Sequence, residues 1–276
     1  MRNLLTAVLA IVSLGLFSCQ KEVTDVFAGS GNSGGSSDGL LTKITAKTGS
    51  DSTEMLFTYN SSKKLVGLVT NVVSSGTTTT VSERAERNAQ GIIQRVIYKS
   101  DSYQQLGLDS AVAVIKYVGG RYTTEVTEFD VGGIIFSDSI ALSYDGAGKV
   151  IREDEFFVFL GSADPVGKTE YTYSGNNLAT IKTYSWDGSA FNLEITDTYD
   201  QYDNKVNPMY FGNEAFVFGS PFFYSTNNPV KSSQSDGTTT LDFTTSYNYN
   251  SSNKPVTAQS VTQPGGEVQT GNYYYQ

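Results

Sequence analysis

From Leu40 onward, short runs that alternate apolar and polar residues are separated by clusters of Gly, Asn, Asp and Ser. In the run 241–249, Leu241, Phe243, Tyr247 and Tyr249 fall on one side, with Asp242, Thr244, Ser246 and Asn248 on the other. Successive strand side chains point to opposite faces, so this run predicts a sheet with one apolar and one wet face. Ile134, Phe136, Ile140, Leu142 and Tyr144 form a similar stripe, with Ser137, Ser139, Ala141 and Ser143 opposite. Turn clusters sit at Val131-Gly132-Gly133, Asp145-Gly146-Ala147-Gly148, Ser174-Gly175-Asn176-Asn177, Asp187-Gly188, Asp236-Gly237 and Pro264-Gly265-Gly266. Gly and Asn reach positive φ cheaply, as tight hairpins require. The spacing predicts an all-β protein: an antiparallel up-and-down meander of hairpins, curved into an open or closed barrel-like sheet. Ser82-Glu83-Arg84-Ala85-Glu86-Arg87 has helical composition but is too short for a helix and is expected as a charged edge strand. Residues 207–228 are aromatic, rich in Gly and Pro and without a clear period, which predicts a long loop or short helix crossing one end of the sheet.

A self-similar unit recurs within this pattern. Phe57-Thr58-Tyr59-Asn60-Ser61-Ser62-Lys63-Lys64-Leu65-Val66 lines up with Leu142-Ser143-Tyr144-Asp145-Gly146-Ala147-Gly148-Lys149-Val150-Ile151 and with Tyr247-Asn248-Tyr249-Asn250-Ser251-Ser252-Asn253-Lys254-Pro255-Val256. Tyr171-Thr172-Tyr173-Ser174-Gly175-Asn176-Asn177-Leu178 is one residue shorter, and Arg87-Asn88-Ala89-Gln90-Gly91-Ile92-Ile93 is a worn copy. An aromatic-x-Tyr ends one strand, a small polar turn follows, and an aliphatic residue opens the returning strand and packs across the pair. The unit resembles the YD repeat of RHS-type proteins, though its copies are irregularly spaced. With Tyr202-Asp203-Asn204-Lys205-Val206-Asn207-Pro208 and Asn227-Asn228-Pro229-Val230, residues 40–276 are similar to a family of Bacteroidota-type lipoproteins of unknown function with a porin-like fold. That resemblance implies a curved or closed β sheet and no known activity.

The N-terminus adds an address. Met1-Arg2-Asn3, an apolar run from Leu4 to Leu16 and Phe17-Ser18-Cys19 read as a secretory signal, too short for a spanning helix. Leu16-Phe17-Ser18-Cys19 resembles a lipobox, which implies cleavage before Cys19 and acylation of that cysteine, although Phe17 is bulkier than the usual residue there. Each buried acyl methylene contributes about 0.8 kcal/mol, so several chains hold a protein on a bilayer durably. Gln20-Lys21-Glu22 looks like the short charged tag of surface-exposed Bacteroidota-type lipoproteins, and the Gly/Ser stretch 28–39 reads as a flexible tether. The expected organisation is a lipoprotein signal peptide over 1–18, a lipidated N-terminus and tether over 19–39, and a single β domain over 40–276. The expected location is the outer membrane, lipid-anchored, facing the periplasm or the cell surface.

Composition narrows the chemistry. Lys plus Arg number 19 against 28 Asp plus Glu, for a net charge of −9, and no basic cluster suggests a nucleic-acid partner. Charged residues are 17% of the chain, below the usual quarter or so, while 18 Tyr and 15 Phe suit pleated surfaces. Cys19 is the sole cysteine and there is no histidine, which removes intrachain disulfides, histidine-dependent triads and His-ligated metals. Porin strands need an outward apolar band. The short, Thr/Ser-rich strands here, interrupted by charges such as Arg152, Glu153, Asp154 and Glu155, predict a water-soluble domain instead.

No catalytic, metal or cofactor set emerges. Asp197, Asp200 and Asp203 recur at intervals of three, which on a strand turns Asp200 away from the other two; solvated turn and edge charges account for them as well as a calcium site does. Glu153 and Glu155 share a face and are the best pair for a carboxylate-only hydrolase acting on glycans. Tyr184, Trp186 and Phe191 surround Asp187-Gly188, where they either pack across a hairpin or stack on sugar rings. Pro221-Phe222-Phe223-Tyr224, with Tyr210, Phe211, Phe216 and Phe218, either plugs one end of the sheet or lines a ligand mouth. Tyr273-Tyr274-Tyr275 is expected to close the sheet as its last strand. These readings converge on a membrane-anchored, non-enzymatic binding or interaction module with a glycan or protein ligand. The alternatives are the hydrolase and a structural surface component.

Overall fold

The computed structural model describes residues 39–105 and 107–276. Strands β1 (Leu41–Thr48), β2 (Asp51–Tyr59), β3 (Leu65–Ser74), β4 (Thr77–Arg87) and β5 (Ile93–Ser100) lead into a five-residue helix, α1 (Asp101–Gln105). Next come β6 (Ala111–Val118), β7 (Arg121–Val131), β8 (Ile134–Tyr144), β9 (Val150–Phe159) and β10 (Ser162–Ser174). After β11 (Asn177–Trp186) and β12 (Phe191–Val206), two 3-10 helices, Gly212–Phe218 and Pro221–Tyr224, interrupt the series. It ends with β13 (Asn227–Ser235), β14 (Thr240–Tyr249), β15 (Pro255–Gln263) and β16 (Glu267–Tyr275). Each strand is antiparallel to its sequence neighbours, and β1 pairs with β16, Ile44 opposite Tyr273 and Ala46 opposite Gly271. The sheet therefore closes into a sixteen-strand barrel, with Tyr273-Tyr274-Tyr275 in the closing strand as expected. Closure also corrects one expectation. Residues 82–87 do form a strand, but β4 is paired on both sides with β3 and β5, so it is not an edge.

The self-similar units all lie at one end of the barrel, here called proximal, and all fold alike except 171–178, which makes a two-residue turn. Asn60, Asn88, Asp145 and Asn250 each begin a turn in which their side-chain Oδ1 accepts two backbone N–H groups, two and four residues on. Three residues after each, the chain enters the left-handed region, at Lys63, Gly91, Gly148 and Asn253. This local bonding is why an Asn or Asp must follow the tyrosine. Tyrosines of these units and of β16 bind carbonyls of the neighbouring strand: Tyr144 to Tyr122, Tyr173 to Val150, Tyr247 to Pro229 and Tyr275 to Pro255.

The alternating stripes sort largely as expected, apolar in and polar out, except at strand ends such as Ile134 and at scattered outward aliphatics such as Val114, Leu193 and Val268, which are exposed. Ile44, Met55, Phe57, Leu65, Leu68, Val96, Ile115 and Ile181 are buried on the inner face. The outer face carries cross-strand charge pairs even in mid-strand, such as Arg152 opposite Glu170 and Asp154 opposite Lys168. Residues 207–226 fold back into the proximal opening, where Val217, Phe218 and Phe223 are almost completely buried. The aromatic segment is thus a plug, and its period was hidden because 3-10 turns, not a helix or strand, carry it. At the distal end, a smaller cluster of Phe129, Phe136 and Phe157 stacks at 5.2 and 5.7 Å, with Tyr103 of α1 against Phe129. No sequence signal announced α1, which is barely one turn long.

Candidate functional site

Between the plug and the distal aromatic cluster, the inner wall carries a layer of carboxyl groups. Glu83 on β4, Glu125 on β7, Asp138 on β8, and Glu153 and Glu155 on β9 all point inward, because each occupies an apolar-stripe position of its strand. Ladder pairing places them as near neighbours. Ile140 lies opposite both Glu125 and Glu155, Leu142 opposite Glu153, and Thr127 opposite Asp138. Among the described residues, no ion pair reaches any of the five. Glu83 Oε2 and Asp138 Oδ2 are buried without a hydrogen-bond partner.

Burial without a compensating cation makes the charged form costly, so these acids hold their protons more tightly than carboxyls in water. Burial, reinforced by Glu125, pushes Glu83 up to about 8. Burial raises Glu125 to about 7, opposed by Tyr98 and aided by Glu153. Asp138 rises to about 7 through burial and the nearby Glu155. Burial lifts Glu153 to about 7 against hydrogen bonds from Tyr224 and Tyr171, and it raises Glu155 as well.

The acid layer is bonded to the plug. Tyr224 Oη donates to Glu153 Oε1 at 2.8 Å. Tyr98 Oη stands 2.8 Å from Glu125 Oε1 and 3.2 Å from the carbonyl of Val217. A phenol has one proton to give, so it serves both acceptor positions only when Glu125 is protonated and donates to the phenol oxygen. A third tie is ionic. Arg87 makes two 2.8 Å bonds to Glu214 of the plug and also donates to the carbonyls of Leu65 and Gly91. Asn207 closes the base of the plug, donating to the carbonyls of Phe222 and Ser225 and accepting from the Met209 N–H. A void of about 20 Å³ beside Asp197, Tyr199, Phe222 and Phe243 is room for about one water.

The other sequence candidates are placed as follows. Trp186 and Phe191 do meet, at 4.8 Å between centroids, across the distal hairpin that joins β11 and β12. Tyr184 belongs to the same outward patch: Lys168 Nζ lies 4.2 Å over its ring and 5.3 Å from Phe191, while Tyr184 Oη donates to Glu170. Asp187 binds the N–H groups of Ser189 and Ala190 and the Asn192 side chain, which holds its carboxyl well below the usual range. Asp197 points inward and accepts from Gln234, Asp200 is exposed, and Asp203 accepts from Asn228 and Tyr249. The three aspartates thus separate, and among the described residues no group of three acidic, His or Cys side chains is arranged to hold a metal. Glu153 and Glu155 share a face as expected, but that face is the enclosed inner one. Cys19 lies outside the described residues. Sequence reasoning missed Glu83, Glu125 and Asp138 as partners of that pair. The available signal was an acid standing in an apolar stripe, as in Ile134, Phe136, Asp138, Ile140.

No family model matches the chain, and no curated protein matches it in sequence. Two solved structures of porin-like proteins resemble it. The one from Bacteroides uniformis has 13% identity and a TM-score of 0.55, covering 86% of this chain and 98% of its own. The one from Bacteroides vulgatus, also at 13% identity, covers 87% and 99% at a TM-score of 0.40, too low to carry an argument. At that identity the likeness is one of fold: the chain shares its barrel with a Bacteroides porin-like protein.

Proposed function

We propose that this chain is an envelope lipoprotein, held on the outer membrane through an acylated Cys19, whose barrel stands in water as a non-enzymatic binding or interaction module. The observation that carries this reading is the inverted polarity of the wall. A lipid-facing surface pays about 2–4 kcal/mol for each Lys or Arg at mid-bilayer. This outer face bears Arg84–Glu86–Arg95 and Arg152–Asp154 ion pairs among scattered exposed aliphatics, while most buried apolar side chains and the plug lie inside. The name of the Bacteroides relative describes that protein; the plug in the proximal opening argues against an open conduit here. Among the described residues the barrel closes on itself within 39–276, so this part is the one to produce alone. It is expected to be monodisperse without detergent and silent in planar-bilayer conductance. Detergent-dependent solubility or stepwise conductance would overturn the reading. Mass analysis of the full-length protein from cells tests the acylated Cys19 separately.

Trp186, Phe191 and Tyr184 form the aromatic patch best suited to a sugar face, at the distal end and away from the point where the chain enters the barrel. A glycan array read with the wild-type domain and Trp186→Ala tests this, and equal signals from both would remove the patch from consideration. The competing hydrolase reading has Glu153 and Glu155 on one face in its favour. Tyr224 and Tyr171 already occupy Glu153, and both acids face the barrel interior between the plug and the distal cluster, not an open cleft.

A further inference from the structure

The two ends of the barrel carry opposite charge. The distal turns and the strand ends beside them hold Asp51, Asp101, Asp130, Asp164, Asp187 and Asp236, with Lys47 and Lys99 as the nearby cations. The proximal turns hold Lys63, Lys64, Arg121, Lys149, Lys205 and Lys254. None of these six is in an ion pair among the described residues.

The self-similar units build this crown. Tyrosines of these units and of β16 ring the proximal opening, and a cation from a neighbouring turn or strand lies over four of them: Arg121 on Tyr144, Lys149 on Tyr173, Lys205 on Tyr249 and Lys254 on Tyr275, at 5.1–6.0 Å from the ring centroids. Lys149, Lys205 and Lys254 also bind the Gly175 carbonyl, Asn253 Oδ1 and the Gly39 carbonyl. Rings and carbonyls orient an ammonium without cancelling its charge. Three acids share this rim and are held by local bonds. Asp145 takes the N–H groups of Ala147 and Lys149, Asp203 takes Lys205 N–H and Asn228, and Glu214 is paired with Arg87. The chain enters the barrel at this same rim, where Leu40 N–H donates to the carbonyl of Gln276.

We infer that the proximal crown is a docking surface for anionic lipid headgroups, seating the barrel end-on against the membrane to which residues 1–38 connect it. This rests on the tethered reading above for its biological setting, yet the surface chemistry stands without the anchor. A rim where six cations face two carboxylates outside ion pairs, Asp145 and Asp203, meets a negative leaflet favourably, and the acidic distal end is repelled to face outward. The Trp186 patch would then be presented away from the bilayer.

Residues 39–276, lacking any acyl group, are mixed with phosphatidylcholine vesicles and with vesicles containing about 30% phosphatidylglycerol. Cosedimentation is expected with the anionic vesicles only, and is expected to disappear at about 0.5 M salt. Lys63→Asn combined with Lys64→Glu, at exposed turn positions, is expected to weaken binding at least about tenfold, while Lys99→Glu near the distal end leaves it unchanged. Orientation is read independently from single dye-labelled cysteines: Ser62→Cys is expected to be quenched by a lipid-borne quencher and Thr238→Cys to be spared. Absence of binding to anionic vesicles at low salt, equal quenching at both positions, or an equal loss with Lys99→Glu would overturn the proposal. An unacylated Cys19 in cells would remove the anchor and leave these results untouched.

Discussion

At the proximal end the barrel is filled by Phe216, Phe218 and Phe223 of the plug, whereas a few residues further along the same strands it is lined by Glu83, Glu125, Asp138, Glu153 and Glu155. The acids occupy inward positions of the sheet, set by its alternation, whereas the plug aromatics ride on 3-10 turns inserted between β12 and β13 and pack against the sheet's inward apolar residues. In the first layer, the buried rings pack on one another and on the wall, and the buried Arg87 finds Glu214, with Ser220 Oγ the one plug side-chain atom buried without a hydrogen-bond partner among the described residues. In the second, acids share the space with tyrosines and no cation. The comparison separates what closes a barrel, which is the period of two, from what makes its inside comfortable, which is the identity of each inward residue.

The largest expected effects come from breaking the first layer. Phe223→Ala, which empties a fully buried ring site, is expected to cost about 3–5 kcal/mol in urea unfolding. Arg87→Ala leaves Glu214 enclosed without its partner and is expected to cost a similar amount, about 3–5 kcal/mol. If either variant unfolded like the wild type, the plug would not be part of the cooperative core.

The second layer sets a pH dependence of defined sign. Its acids bind protons more tightly folded than unfolded, so the folded chain carries more protons from the ordinary value of 4.5 up to about 7 or 8. Stability is accordingly full below that window and falls as pH rises through it. Melting temperature is expected to drop between about pH 5 and pH 9, the opposite of the usual salt-bridged carboxylate. Glu83→Gln is expected to flatten the profile and to stabilise the protein by on the order of 1 kcal/mol at the alkaline end. A profile that rises with pH would mean that these acids are ionised and compensated.

Smaller effects sharpen the contrast between turns and walls. Lys63 holds a left-handed conformation that Gly91 and Gly148 adopt in the sister turns, so Lys63→Gly is expected to stabilise by about 0.5–1 kcal/mol. Arg84→Ala, removing an exposed wall ion pair, is expected to change stability by no more than about 0.5 kcal/mol.

Much of this architecture was legible in the residues. The stripes of 134–144 and 241–249, the tyrosine–turn–aliphatic units and the role of residues 273–275 all followed from period-two alternation and turn chemistry. The plug was readable as an aromatic mass lacking a period, though not its two 3-10 turns. The acid layer was only half legible. Glu153 and Glu155 could be paired by parity along one strand, but their union with Glu83 and Glu125 depends on which strands stand near across the interior, and ladder register is not local. The basic crown escaped notice because its members are spread from Lys63 to Lys254 and meet only through closure. Residues 82–87 looked like an edge because a sequence shows alternation but not whether a neighbour stands on each side.

Joining the first strand to the last has a consequence for biogenesis. The seam at Ile44 and Tyr273 spans almost the whole chain, so no ribosome-bound or partly translocated fragment can complete it. Such distant pairing is slow to form, and until it forms β1 and β16 are raw borders able to recruit a stray strand. A nascent copy cut short before Glu267 would lack β16 and keep open borders permanently at β1 and β15, which makes late truncation, rather than surface substitution, the genetic lesion most apt to turn this barrel into an aggregate.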